Sequence, residues 1–326
     1  MKQINCTDRV KVSSLVLGTD VFGTRMPEEM AHRLMDEYVD RGGNTFDTAR
    51  IYGRVGPDLH SASEETIGKW MRSRGRHHVA VSTKCAHPEP ATMHISRLSR
   101  AEIEGDVDGS LMTLGTDYID ILWLHRDDTS LPVEDIVDTL NGLVKKGKIL
   151  SFGGSNWTAA RLAEANRYAA ASGQMGFFGS QLKYSCGVTS PDFAGDPTLL
   201  EMDPTEYKGL AEMGLVAFAY TSQARGFFYK MESGGAEALP EWTQRQFLCE
   251  ENLRRYEALR ELCARHGLSM QQAVLGALTA NTDFPACAII GCSSPDQLRA
   301  AMDATEADLT ALYPELRAIL RLHPSN

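Results

Sequence analysis

Apolar positions along the chain follow two alternating rhythms. Short β-branched or apolar runs are separated by helix-length stretches in which apolar residues return every three or four positions. The short runs are SLVLGT (14–19), NTFDT (44–48), VAVSTK (79–84), YIDILWLH (118–125), ILSFGGSN (149–156), FGSQLKY (178–184), LVAFAY (215–220) and ACAIIG (286–291). Between the first two lies PEEMAHRLMDEYVDRGG, which opens at Pro27 and closes on Gly42 and Gly43, as helix ends prefer. SASEETIGKWMRSRG supplies serine caps and places acids in its first turn, where the helix dipole favours them.

Eight strands, each followed by a helix, predict the α/β class and a (β/α)8 barrel of TIM type. A doubly wound sheet is the competitor, but no G-x-G-x-x-G follows the first strand. No low-complexity linker divides the chain, so one domain over residues 1–326 is expected. Residues 1–13, with alternating Val10 and Val12, predict a small β-hairpin ahead of the first barrel strand. A long irregular loop, about 222–250, is expected after strand seven and is long enough to cover a ligand. Gly142 to Lys148 fits the G-x-x-x-x-G-K phosphate-loop pattern, but the order is helix then strand and Ile149 follows instead of Ser or Thr. Gly147 is expected to end a helix there.

Composition narrows the class. With 43% hydrophobic and 23% charged residues the chain has a globular protein's balance. Its 33 basic against 43 acidic residues give a net charge of −10, which disfavours a nucleic-acid partner. No apolar run has membrane-spanning length and the start lacks a signal-peptide core, so a cytoplasmic protein without a membrane partner is expected. Seven cysteines without a CxxC pair are expected to be free thiols. No metal site is expected: the Cys263/His266 and Cys287/Cys292 pairs fall on an amphipathic helix and a buried strand.

Barrel enzymes carry their chemistry at the C-terminal ends of the strands. Strand one ends in Gly18 and Thr19, strand two in Asp47, strand three in Lys84 and strand four in His125. Strand five ends in Ser155 and Asn156, strand six carries Gln181, strand seven ends in Tyr220 and strand eight in Gly291. Singly, Asp47 can cap a turn, Lys84 can be a solvated strand end and His125 a satisfied core histidine. Together on one rim they favour chemistry. A lysine entering a barrel mouth needs a carboxylate partner, and Asp47 stands one strand over. Tyr52 follows in the next turn. A free phenol, with a pKa of about 10, is a poor acid at neutral pH, and a nearby lysine cation is expected to lower it. A neutral histidine can orient the acceptor oxygen. Asp47, Tyr52, Lys84 and His125 thus predict a metal-free proton-donating site for a carbonyl.

FDTARIYG (46–53), STK (82–84), DYIDILWLH (117–125), GGSN (153–156) and AYTSQARG (219–226) resemble the aldo-keto reductase superfamily, in order and over roughly residues 10–303. The resemblance implies a TIM barrel that binds NADP(H), with NAD(H) as the alternative, without a dinucleotide-binding Rossmann fold. It implies that Tyr52 is the general acid/base, Lys84 its pKa-lowering partner, Asp47 the salt-bridge partner of Lys84, and His125 the carbonyl-orienting group. It assigns Ser155, Asn156 and Gln181 to the nicotinamide carboxamide and stacks Tyr220 on the ring. The run from Thr221 to Gly226, with Thr221, Ser222, Gln223 and Gly226 as its named contacts, would follow the pyrophosphate, with Thr19 and Asp47 also on the cofactor side. Gly291, Ser293 and Gln297 would meet the adenosine end. The segment IIGCSSPDQLRAAMDA (289–304) departs from the pattern: no basic residue precedes Pro295, Gln297 stands where arginine is frequent and Ala301 where asparagine is usual. A 2′-phosphate there loses a strong charge-assisted contact, leaving Ser293, Ser294, helix amides and Arg299 to receive it.

The expected partner is a small carbonyl or polyol, with Phe22, Tyr52, His125 and Trp157 shaping its pocket and Phe227 and Phe228 as further aromatic candidates. LHRDD (124–128) is similar to bacterial branches acting on small aldehydes, sugars or polyols, and its polarity favours a hydroxylated substrate. Two other functions compete. One is a lyase forming a Schiff base on Lys84. The other is a non-catalytic redox-sensing subunit, as in the family's ion-channel β subunits, which carry a longer N-terminal extension. The oligomeric state is not encoded in any motif.

Overall fold

Each of the eight apolar runs forms a strand in a computed structural model of the chain, which describes residues 1–55 and 60–322. The expected domain span of 1–326 reaches beyond those described residues at 56–59 and 323–326. Gln3–Asn5 (β1) and Lys11–Ser13 (β2) form the antiparallel N-terminal hairpin. Leu15–Gly18 (β3) and Thr45–Asp47 (β4) open the barrel. Arg54–Val55 (β5) and His60–Ser61 (β6) make a short antiparallel pair beyond its rim. The barrel continues with Ala80–Cys85 (β7), Ile119–Leu124 (β8) and Ile149–Ser155 (β9). Gly179–Lys183 (β10), Val216–Tyr220 (β11) and Ala286–Ile290 (β12) complete it. Successive barrel strands pair in parallel, and β12 returns to β3 to close the sheet. The fold is a (β/α)8 TIM barrel with an N-terminal β-hairpin.

Parallel strands covered on both faces read as nearly continuous apolar runs, and every residue of β7 and β12 is buried. The barrel interior is filled by Val16, Ile121, Trp123, Phe218 and Ile289, and Ile4, Val10 and Val12 of the hairpin join the same cluster. Because β2 runs straight into β3, the hairpin plugs the N-terminal end and leaves the C-terminal rim for a site. Trp123 is the largest side chain inside. It fits because residue 153 is glycine: a Cβ there would lie 2.2 Å from the indole.

The outer layer begins with Glu28–Asp40 (α1), capped by Pro27. Ala62–Arg74 (α2) is capped by Ser61, which accepts from Glu64 N–H. Arg100–Leu114 (α3) starts with a reciprocal Ser99–Glu102 capping box. Val133–Lys145 (α4), Ala159–Ala171 (α5) and Pro204–Met213 (α6) follow their strands. Gly147, with φ 74°, turns the chain from α4 into β9.

The connection after β11 is long, as expected, yet residues 222–250 are mostly helical. They form a 3-10 turn (Ala224–Gly226), Phe227–Gly234 (α7), a second 3-10 turn (Ala236–Ala238) and Glu241–Phe247 (α8). Phe227, Phe228 and Phe247 bury there with ring centroids 5.1 and 6.5 Å apart, and this packing compensates for helices too short to stand alone. Glu250–His266 (α9), Met270–Thr279 (α10), Pro295–Ala304 (α11) and Tyr313–Leu320 (α12) are the last helices among the described residues. Among the described residues no helix is long and apolar enough to cross a membrane.

Candidate active site

Asp47 is the last residue of β4 and lies opposite Ser82 of β7. Two residues on, Lys84 therefore projects from the same rim, and its Nζ donates to Asp47 Oδ2 at 2.6 Å and to the Thr48 carbonyl at 2.7 Å. The other carboxylate oxygen accepts from Ser82 Oγ at 2.8 Å and from Gln181 Nε2 at 2.9 Å. Ser82 Oγ accepts in turn from the Trp123 indole N–H at 2.8 Å. The pair is buried, with side-chain exposures of 2% for Lys84 and 4% for Asp47. Burial pulls the Lys84 ammonium down, but Asp47 and Tyr52 outweigh it and hold the group above the ordinary lysine value.

Tyr52 hangs from the turn after β4, fixed by its own N–H to the Ala49 carbonyl at 3.0 Å and by Ser61 Oγ donating to its carbonyl at 2.8 Å. The next residue must be small and left-handed: Gly53 has φ 64°, and a Cβ there would meet Thr24 at 2.7 Å. Lys84 Nζ lies 4.7 Å from the Tyr52 ring centroid. Burial is the largest influence on the phenol and raises its pKa, Lys84 pulls it down, and Asp47 adds to the rise. The net direction is upward, which corrects the expectation of a lowered value: the lysine acts with the expected sign, but desolvation exceeds it.

His125 directly follows β8, its N–H bonded to the Cys85 carbonyl at 2.9 Å. Burial, then Lys84, His87 and Arg126, push its pKa well below the ordinary histidine value, so the ring is neutral at physiological pH. Its ring lies 6.0 Å from that of Tyr52 and 4.6 Å from that of His87, both edge to face. Its Nδ1 is buried without a hydrogen-bond partner.

These four residues sit at the base of a cleft of about 1000 Å³. Gly18, Thr19, Ser155, Asn156, Gln181 and Tyr220 line it from the barrel rim. Thr221, Ser222, Gln223 and Gly226 line it from the segment after β11, and Gly291, Ser293 and Gln297 from the segment after β12. Apart from Ser294 and Arg299, the residues expected on the cofactor side therefore share one surface. Asn156, at φ 60°, accepts from Tyr220 OH at 2.7 Å and donates to Ser155 Oγ at 3.2 Å and to the His125 carbonyl at 3.3 Å. Gln181 Oε1 is buried without a partner. Gln297 Oε1 accepts from both the N–H and the hydroxyl of Ser293 at 2.9 Å, which pre-forms the turn into α11.

Three expectations are corrected. Phe22 and Trp157 do not line the cleft: both are fully buried, Trp157 against Phe177 at 5.1 Å with its N–H on the Arg126 carbonyl at 3.1 Å. Phe227 and Phe228 are likewise core residues. Arg299 is engaged with Glu37, at 2.7 and 2.8 Å, and with Asp296, and does not line the cleft. Lining residues to which sequence reasoning assigned no individual role include His87, Arg126, Arg225 and Lys230. Among the described residues neither Arg225 nor Lys230 forms an ion pair. Lys230 Nζ donates to the Arg225 carbonyl at 3.0 Å, and Arg225 Nε donates to Gln246 at 2.9 Å. Arg225 had a signal inside AYTSQARG and Arg126 inside LHRDD; His87 and Lys230 had none.

Comparison with known proteins agrees with the barrel fold. The profile of the Aldo/keto reductase family matches residues 14–312. The norsolorinic acid reductase stcV of Emericella nidulans is 32% identical, over 94% of this chain and 76% of its own length. The uncharacterized oxidoreductase YrpG of Bacillus subtilis is 30% identical over 92% of this chain and 89% of its own. An aryl-alcohol dehydrogenase of Pestalotiopsis microspora is 28% identical over 93% and 77%. With a closed parallel barrel, a charged rim and a family match over nearly its whole length, this chain belongs to the aldo/keto reductase family of oxidoreductases.

Proposed function

We propose that this chain interconverts a small carbonyl compound and its alcohol with a nicotinamide dinucleotide, Tyr52 giving and recovering the proton. The observation that carries this is the convergence of Tyr52, Lys84, Asp47 and His125 at the cleft base, with Lys84 Nζ 4.7 Å from the phenol ring. Tyr52 and the neutral His125 form a donor pair for a carbonyl oxygen. As that oxygen gains charge it takes the phenolic proton, and the Lys84 cation stabilises the phenolate left behind. That attraction acts against the burial that holds the phenol protonated at rest.

The cleft fits the dinucleotide. The orphaned Gln181 Oε1 is an acceptor for a carboxamide N–H, with Ser155 and Asn156 beside it. Tyr220, held through its hydroxyl, offers a ring face to the nicotinamide. Thr221, Ser222, Gln223 and Gly226 would follow the diphosphate, and the cations Arg225 and Lys230 would neutralise it. Thr19 and Gly291 bound the cleft, and Ser293 and Gln297 would meet the adenosine end. When bound, the nicotinamide supplies the hydride in reduction and receives it in oxidation. NADP(H) is the preferred form, as is general in the family the chain belongs to, and NAD(H) is the alternative.

A Schiff-base role for Lys84 is disfavoured, since that chemistry needs a neutral amine and Asp47 at 2.6 Å holds the group protonated. The test is turnover of an aldehyde and alcohol panel with each dinucleotide, followed through absorbance of the reduced nicotinamide. Tyr52→Phe should lower kcat by about 10²–10⁴-fold with dinucleotide affinity unchanged. Near-normal kcat in that variant would overturn the assignment.

A further inference from the structure

The wall of the cleft next to His125 is built by a loop that the proposed chemistry does not use. Ala86, directly after β7, has φ 60°, a left-handed conformation that non-glycine residues rarely adopt. It is held there: Ala86 N–H donates to Asp106 Oδ2 at 2.8 Å, and Asp106 takes a two-pronged bond from Arg97 at 2.9 and 3.0 Å. Arg97 also donates to the His87 carbonyl at 3.1 Å. The effect of this bracing is to fix His87 in the cleft lining, its ring 4.6 Å from that of His125.

The His87 tautomer follows from one contact. Its Nδ1 lies 2.6 Å from the Pro88 carbonyl, and a carbonyl oxygen can only accept, so the proton resides on Nδ1. Nε2 then carries a lone pair. Burial, with Arg126 close by, holds this ring below the ordinary histidine value, which keeps the lone pair free at neutral pH. The neighbouring polar wall is Arg126, with three of its five guanidinium N–H groups engaged by Thr198, the His125 carbonyl and Asp196. It can donate but not accept. His87 is therefore the acceptor placed beside the carbonyl-orienting imidazole.

We propose that His87 determines specificity: its Nε2 accepts from a hydroxyl on the carbon adjacent to the substrate carbonyl, so that α-hydroxyaldehydes are preferred over their deoxy counterparts. This rests on the carbonyl chemistry proposed for the same cleft. The direct test compares kcat/KM for lactaldehyde and propionaldehyde, which differ by that one hydroxyl. The unaltered chain should prefer lactaldehyde by about three- to tenfold, the worth of one neutral hydrogen bond. His87→Phe keeps a ring against His125 and removes the acceptor. It should bring the ratio near one by a loss on lactaldehyde alone, and His87→Gln, which restores an acceptor, should recover part of it. Nitrogen NMR of the histidine rings should show His87 protonated at Nδ1.

The idea is overturned if the unaltered chain shows no preference. It is also overturned if His87→Phe leaves the ratio intact, or lowers both substrates equally, which would make the ring a packing element. If propionaldehyde is reduced in a Tyr52-dependent way while the ratio ignores residue 87, only the His87 role fails. If no carbonyl is reduced at all, the proposed chemistry itself fails and this role with it.

Discussion

Replacing Lys84 with methionine tests the charge pair on which the site is built. The substitution roughly preserves the stem and removes the cation, leaving Asp47 buried and still held by Ser82 and Gln181. Removing one partner of a buried pair costs about 3–5 kcal/mol, because the surviving charge is uncompensated. With 2% and 4% exposure and a 2.6 Å contact, this pair meets that condition. Unfolding entropy is about 2.1 cal/mol/K per residue, so over the 326 residues of this chain the loss corresponds to a fall in Tm of about 4–7 °C. Calorimetry on Lys84→Met, Asp47→Asn and the double variant completes a cycle. The double variant, with both charges gone, should be more stable than the two single losses added together predict. A coupling energy below about 0.5 kcal/mol, the scatter expected of independent sites, would refute the reasoning. The pH dependence carries a second sign. Lys84 is held above its ordinary value, so its contribution is complete below about pH 10.4 and fades as pH rises through the raised value. The gap between the unaltered chain and Lys84→Met should therefore be constant through neutrality and shrink only in strongly alkaline solution.

The same charges shape the reaction profile. With the His125 pKa pushed well below its ordinary value and that of Tyr52 raised, reductive kcat/KM should be flat between about pH 6 and 8. A pH–rate series with an inflection there that disappears in His125→Asn would contradict the neutral-imidazole role. Arg225→Ala should weaken dinucleotide binding by about 10- to 100-fold, the range of a hydrogen bond to a charged group. Titration calorimetry with each dinucleotide reads this directly, and unchanged affinity would remove Arg225 from the diphosphate site.

The barrel was legible because parallel strands buried on both faces leave uninterrupted apolar runs, and a polar residue closing such a run marks the rim. Asp47, Lys84 and His125 stood out for that reason: Asp47 ends its strand, Lys84 is next to last in its own and His125 directly follows its own. The segment 222–250 was not legible as helix. Gly226, Gly234, Gly235 and Pro240 cut it into pieces too short to show a period, and the burial of Phe227 and Phe247 that supports those pieces is tertiary. Aromatic residues in loops carry no sign of direction, so Phe22 and Trp157 pattern like pocket walls and turn out to be core. The opposite error hid His87 and Lys230, and left Arg225 inside a motif without a role of its own. Ala86 at φ 60° and Arg225 at φ 54° redirect the chain toward the cleft, and nothing in an alanine or an arginine announces a left-handed conformation.

One carboxylate ties the halves of the site together. Asp47 receives Lys84 on one oxygen, and Ser82 and Gln181 on the other. The first contact fixes the cation that, in the proposed reaction, stabilises a Tyr52 phenolate. The second orients the Gln181 amide so that its N–H faces the protein and its oxygen is left without a partner. Ser82 is in turn held by Trp123, whose indole is locked by the missing Cβ at residue 153. A buried charge is tolerable only when its hydrogen-bonding capacity is filled, and here each group filling it also places a functional atom. The packing that makes the ion pair affordable and the placement of the proposed acid and the proposed carboxamide acceptor are thus one arrangement. That arrangement explains why the chemistry gathers where β4, β7 and β10 present their ends.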